Sequence, residues 1–119
     1  MLRPIIACHN PYQTARLYES AGWIIEFSNP PKGGDPLVGV SLYENKVLLG
    51  VTEGYVREQD IGSIGCGIVF YIDVPKTVIS AVHKAHRVFN PTDIALRSWG
   101  DSAFDVVIGG IRFTIASSS

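Results

Sequence analysis

The chain has 119 residues, 46% of them hydrophobic, and its ten basic and eleven acidic side chains are scattered to a formal net charge of −1. That length suits one compact domain with a real core that gains from a partner burying more surface, and so even a charge leaves no footprint for nucleic acid or an anionic membrane. No apolar run approaches the roughly 20 residues of a membrane span, and the opening "MLRPIIACHNP" breaks at Cys-His-Asn-Pro, unlike a signal peptide, so the expected location is cytoplasmic.

Along the chain, "LRPIIAC" is a strand candidate. Asn10, Pro11 and Gln13 then form a helix start: a side-chain cap, proline at the first helical position and a capping-box partner. The helix is expected from about Pro11 to Ala21, with Ala15, Leu17, Tyr18 and Ala21 as its apolar stripe and Gly22 as a left-handed cap. "WIIEFS" is the next strand, "NPPKGGDP" a loop, and "LVGVSLY" and "VLLGV" a hairpin turning at Glu44-Asn45-Lys46. Cys8 and Cys66 are too few for a disulfide framework and sit in apolar stretches, so both are expected as buried, reduced thiols.

The second half repeats this order. "GIVFYIDV" is a strand with Gly67 at its entrance, and Pro75 opens a helix with the stripe Val78, Ile79, Val82 and Ala85. "FNP" closes the helix before "TDIALRSW", "SAFDVVI" and "IRFTIAS". Pro11 and Pro75, the strand starts near Arg3 and Gly67, and the turns at Asn45 and Gly109 are all 64 apart. One register shared by three landmarks indicates an internal duplication. The expected fold class is α+β: two paired β-α-β-β-β modules whose curved mixed sheets surround a cleft. Module 1 spans about 1–52, a linker about 53–65 and module 2 about 66–119.

Strand alternation separates two faces. Ile68, Phe70 and Ile72 oppose Gly67, Val69, Tyr71 and Asp73; Pro4, Ile6 and Cys8 oppose Arg3, Ile5, Ala7 and His9; Ile111, Phe113 and Ile115 oppose Arg112, Thr114 and Ala116. The first set of each suits packing under a helix. The second is smaller and more polar, yet has little Lys or Glu, which fits the lining of a cavity or an interface as well as a half-wet face.

The duplicated module, "ARLYESAGW" beside the pattern A-x-x-F-Y-x-x-x-L-G-F, and "RSWG...FDV...GGIRFTIA" beside P-W-G-x-x-E-F-x-V-x-D-P-D-G-N-x-x-E-F resemble the vicinal oxygen chelate superfamily. Its members include glyoxalase I, fosfomycin-resistance enzymes, extradiol dioxygenases and bleomycin-resistance proteins. The resemblance covers nearly the whole chain and is closest to the metal-free bleomycin-resistance group. It places the superfamily's metal-ligand positions on Arg3, Gly67 and Thr114, none of which supplies an imidazole or carboxylate donor. Gly67 then leaves room where a ligand would stand, and no metal or other cofactor is expected. The D-P-D-G turn is replaced by Val107-Ile108-Gly109-Gly110.

Other constellations are weaker. His83 and His86 have a spacing that can hold a metal, but Lys76, Ser80, Lys84 and Arg87 share their side, which favours a solvated helix face. His9 borders the helix entrance or touches a ligand. "GSIGCG" lacks the helix of a phosphate loop, and no serine lies in a nucleophile elbow. Trp99 stands in the place of the superfamily's W-G, where the resemblance implies an aromatic wall; a core role is the other reading. Tyr43, Glu53 and Tyr55 are candidates to close the cavity. The resemblance implies a homodimeric small-molecule binding protein for an aromatic or cationic, drug-like ligand, touched by Arg3, His9, Tyr43, Tyr71, Trp99, Asp105, Arg112 and Thr114, with no catalytic residue. The alternatives are a lyase, isomerase or transferase using Arg3, His9, Tyr71, Asp105 or Arg112, and a partner-binding protein with a vestigial cavity.

Overall fold

The computed structural model describes residues 3–29, 36–51, 57, 59 and 67–117. Within them the chain divides into two compact units, one built on strands β1 (Ile5–Cys8), β2 (Ile24–Asn29), β3 (Leu37–Leu42) and β4 (Asn45–Val51), the other on β5 (Val69–Asp73), β6 (Ala95–Leu96), β7 (Ser102–Ile108) and β8 (Ile111–Ser117). Helix α1 (Pro11–Ser20) follows β1, and α2 (Ile79–Ala85) follows β5. The sheet orders are β1-β4-β3-β2 and β5-β8-β7-β6, so the class is α+β, with the repeated β-α-β-β-β order expected of the paired modules. No described helix is long and apolar enough to cross a membrane.

Asn10 starts α1 as its sequence requires: its side-chain carbonyl accepts from the backbone N–H groups of Tyr12 and Gln13 at 3.1 and 3.2 Å, satisfying donors that a helix start leaves orphaned. Pro11, Ala15 and Tyr18 are its buried line. Leu17 is 43% exposed, a correction to the expected stripe: it lies one position from Tyr18, about 100° around the helix. At the other end Gly22 adopts φ +95° and Trp23 N–H donates to Tyr18 carbonyl at 3.1 Å, the hydrogen bond of a Schellman cap. That cap delivers Trp23, buried, edge-on to the buried Tyr18 ring at 5.1 Å. Burial, and then Cys8, push the Tyr18 phenol far up in pKa. Cys8 is itself a buried free thiol raised by burial; Cys66, Glu53 and Tyr55 lie outside the described residues.

The first sheet's core face carries Ile6, Leu49 and Val38 in one row across β1, β4 and β3, with Cys8, Val47, Val40 and Leu42 also buried. Its other face has the row Ile5, Leu48, Gly39 and Phe27 across all four strands. A Cβ on Gly39 would stand 2.4 Å from Phe27 Cε1, so the bare backbone is what lets that ring lie across β3. The β2–β3 register shifts between Ile25 and Phe27. Within that shift, Glu26 reaches Lys46 at 3.5 Å. A hydrogen bond with Ser41, and then Lys46 and Arg3, hold the Glu26 carboxyl below its usual range despite the opposing effect of burial.

The expected 64-residue repeat holds to the residue in the parallel pairs: Ile5 faces Leu48, and Val69 faces Arg112. It does not hold at the hairpin tips. The first turn is Tyr43–Glu44, not Glu44–Lys46, with Leu42 opposite Asn45; the second is Gly109–Gly110. Tyr43 takes φ +55° there, and Asn45 donates its side-chain amide to Leu42 carbonyl at 3.0 Å. Asn45 thus begins β4 instead of turning the chain, and β8 starts two residues later in the repeat than β4.

In the second unit α2 is only seven residues long, flanked by 3-10 turns at Lys76–Val78 and Arg87–Phe89. Its buried positions are Ile79 and Val82, and His86, its C-cap, is buried as well, while Ala85 is exposed. The expectation of a solvated histidine face is therefore overturned. His86 is completely buried, with Nδ1–H donating to Val82 carbonyl at 2.8 Å, and both His83 and His86 set their rings edge-on to Phe104 of β7. Asn90 ends this region in the left-handed conformation, φ +52°. "TDIALRSW" yields only the two-residue β6, and Ile68 precedes β5 and is 52% exposed instead of joining Phe70 and Ile72 beneath the helix.

Candidate functional site

The second sheet's other face is built from three rows fixed by register. Val69, Arg112 and Val107 lie side by side on β5, β8 and β7; Tyr71, Thr114 and Asp105 form the next row; Asp73, Ala116 and Ala103 the third. Strands separate neighbours in a row by about 4.8 Å, and rows are about 7 Å apart. Five of the candidate residues, Tyr71, Trp99, Asp105, Arg112 and Thr114, come together here, four through alternation and Trp99 through the β6–β7 connection.

That connection is a closed turn. Arg97 N–H donates to Asp101 carbonyl at 2.7 Å, and Gly100 N–H to Arg97 carbonyl at 3.0 Å. Gly100, at φ +102°, makes this reversal possible. The turn carries Trp99 and Asp101 to Tyr71: the indole Nε1–H donates to Tyr71 Oη at 2.8 Å, and that hydroxyl donates to Asp101 Oδ2 at 2.6 Å. The rings lie 6.3 Å apart, tilted by 56°. The hydrogen bond to Asp101 is the largest of the causes that raise the Tyr71 phenol's pKa. Trp99 is 61% and Tyr71 45% exposed, so Trp99 is not a core residue.

Asp105 is held from two sides. Thr114 Oγ1 donates to Oδ1 at 2.7 Å and Arg97 Nη2 to Oδ2 at 3.2 Å. Partial burial would raise its pKa, but these bonds, with the charges of Arg97 and Arg112, outweigh it and hold the carboxyl below its ordinary range. Its backbone is tied to Thr92 in both directions, N–H to Thr92 Oγ1 at 2.8 Å and carbonyl from Thr92 N–H at 2.9 Å. Arg97 Nε is buried without a hydrogen-bond partner among the described residues.

The remaining candidates belong to the first unit. Arg3 is exposed near Glu26, His9 is exposed between β1 and α1, and Tyr43 is exposed on the hairpin turn. The donor set does not fit a metal at the positions matched to the superfamily's ligands. Thr114 is committed to Asp105, Arg3 is cationic, and Gly67 has no side chain. A Cβ on Gly67 would meet nothing within 4 Å among the described residues, and its φ of +78° is a backbone conformation that itself favours glycine. Among the described residues no group of three or more His, Cys, Asp and Glu gathers as a metal cage.

Arg97 and Asp101 were missed as participants. Both flank Trp99 in "RSWGD", but only the closed turn shows that one braces Asp105 while the other accepts from Tyr71.

No sequence-family model and no curated protein matches the chain. Solved structures do. A bleomycin resistance determinant encoded on the transposon Tn5 aligns with TM-score 0.69 over 100% of this chain and 98% of its own, at 12% identity. A bleomycin-binding protein complexed with bleomycin aligns with TM-score 0.67 over the same shares, also at 12% identity. A member of the glyoxalase/bleomycin resistance protein/dioxygenase superfamily from Sphaerobacter thermophilus DSM 20745 aligns with TM-score 0.69 at 18% identity, over 99% and 97% of the two chains. The fold is the vicinal oxygen chelate fold.

Proposed function

We propose that this chain, carrying the vicinal oxygen chelate fold, is a metal-free small-molecule binding protein of the bleomycin-resistance type that takes a flat aromatic or cationic, drug-like ligand on the open face of its second sheet. The observation that carries this reading is the Tyr71–Trp99 pair. Their polar atoms are satisfied by each other and by Asp101, while both rings remain about half exposed. Aromatic faces held in this way offer contact area and cation-π attraction at little ordering cost, and Asp101 beside them offers a seat for a cationic substituent. The bleomycin-binding structure among the fold's relatives supports the class of function. The proposal includes a cytoplasmic homodimer, supported by the exposed apolar residues Ile5, Ile24 and Val69, each 49% exposed or more. An enzymatic reading is less well supported, because both Asp105 oxygens are already occupied and the carboxyl is held ionised.

The test uses two flat probes, neutral 2-naphthamide and cationic 2-naphthylmethylammonium, titrated at millimolar concentration while the two indole N–H resonances are followed. Trp23 is 2% exposed and serves as an internal reference. The expected result is a saturable shift of the Trp99 signal alone. Trp99→Ala should weaken binding by about 0.5–1.5 kcal/mol beyond the contact area lost, and Trp99→Phe by less. If neither probe moves Trp99, or Trp99→Ala leaves the affinities unchanged, the aromatic-wall reading fails.

A further inference from the structure

The ligand face of the second sheet also carries a guanidinium that is hydrogen-bonded to no described residue. Arg112 is exposed and makes no hydrogen bond or ion pair among the described residues. Its neighbours in the same row are Val69 and Val107, 51% and 45% exposed. The nearby carboxylate, Asp105, stands in the adjacent row and already accepts from Thr114 and from Arg97, so neither of its oxygens is bonded to Arg112. Asp101 is bonded to Tyr71, which shares the row of Asp105 and Thr114.

We propose that Arg112 is the recognition point for a carboxylate on the ligand, so that the molecule bound is an aryl carboxylic acid or a zwitterion and not a simple cation. This rests on the preceding reading that the aromatic face binds a ligand. A guanidinium presents a planar fork of donors that matches a carboxylate with two parallel bonds. Flanking valines give an apolar seat on either side, which suits the body of an aromatic acid better than the solvated shell of a free inorganic anion. Arg112 and Tyr71 are diagonal neighbours, one row apart on the paired strands β8 and β5, so a two-ring aromatic acid held at Arg112 lies on the side of the face that carries Tyr71 and Trp99.

The experiment adds 2-naphthoate to the two probes above and compares dissociation constants from the Trp99 indole shift at 50 mM and 500 mM salt. Naphthoate should bind roughly five- to tenfold more tightly than naphthamide at low salt, the advantage of one charge-assisted contact at an exposed site, and should lose most of that advantage at high salt. Arg112→Gln should bring naphthoate to the level of naphthamide measured on the same variant, and Arg112→Lys should keep part of the preference. Naphthoate binding no tighter than naphthamide, or a preference that survives Arg112→Gln, overturns the carboxylate inference while leaving the aromatic face intact. If none of the three probes moves Trp99, both readings fall together.

Discussion

Protonating His86 should destabilise the fold over a defined pH window. The ring is fully buried, its Nδ1–H is committed to Val82 carbonyl, and it packs edge-on to Phe104 with His83 beside the same ring. Burial is the largest influence and lowers its pKa. The Val82 carbonyl, which would favour the charged ring, only partly offsets this, and His83 adds to the lowering. A depressed folded-state value means that the unfolded chain binds the proton more readily. The stabilisation from a neutral His86 is therefore fully present above the unfolded value of about 6.5 and is lost as the pH falls through the folded value. One proton taken up on unfolding gives a slope of at most about 1.4 kcal/mol per pH unit, so acidification from pH 6.5 to 5.0 costs up to about 2 kcal/mol. Carboxylates, which titrate near 4, contribute little in that interval. Urea unfolding at pH 7.5, 6.5, 5.75 and 5.0 reads the slope directly. His86→Gln should flatten it while lowering stability at pH 7.5 by about 1–3 kcal/mol through the disturbed buried polar contact. Stability that is level from pH 7.5 to 5.0, or a slope that persists undiminished in His86→Gln, would refute the reasoning.

Two further outcomes are expected. Gly39→Ala should lower the melting temperature in the wild-type background because the new methyl meets the Phe27 ring, and should do so much less on top of Phe27→Ala; additive effects would show that the ring simply swings aside. Elemental analysis of the purified protein should find no stoichiometric transition metal, and EDTA should leave its melting temperature unchanged; one tightly held ion per chain would contradict the donor-set argument at Arg3, Gly67 and Thr114.

Local chemistry made much of this molecule legible in its sequence. The Asn10 cap, the Gly22 reversal and the alternation of Ile6 and Cys8, or of Ile111, Phe113 and Ile115, depend on hydrogen bonds and side-chain directions within a few residues, and each appears as expected. The 64-residue repeat was legible for the same reason, since each module must satisfy the same local rules, and the parallel registers keep it. What failed depended on distant partners. His86 reads as part of a charged helix face until Phe104, eighteen positions later, gives its ring an apolar seat. The first hairpin's turn moved to Tyr43–Glu44 because pairing across β3 and β4, not the turn residues alone, sets where the chain reverses. Alternation placed Tyr71, Thr114, Asp105 and Arg112 on a common face, but only the register of β5, β8 and β7 aligned them into rows, and only the folded-back Arg97–Asp101 turn brought Trp99 and Asp101 to Tyr71. A side chain's face follows from its own strand; its neighbours on that face follow from strands far away in sequence, whose pairing the tertiary structure decides.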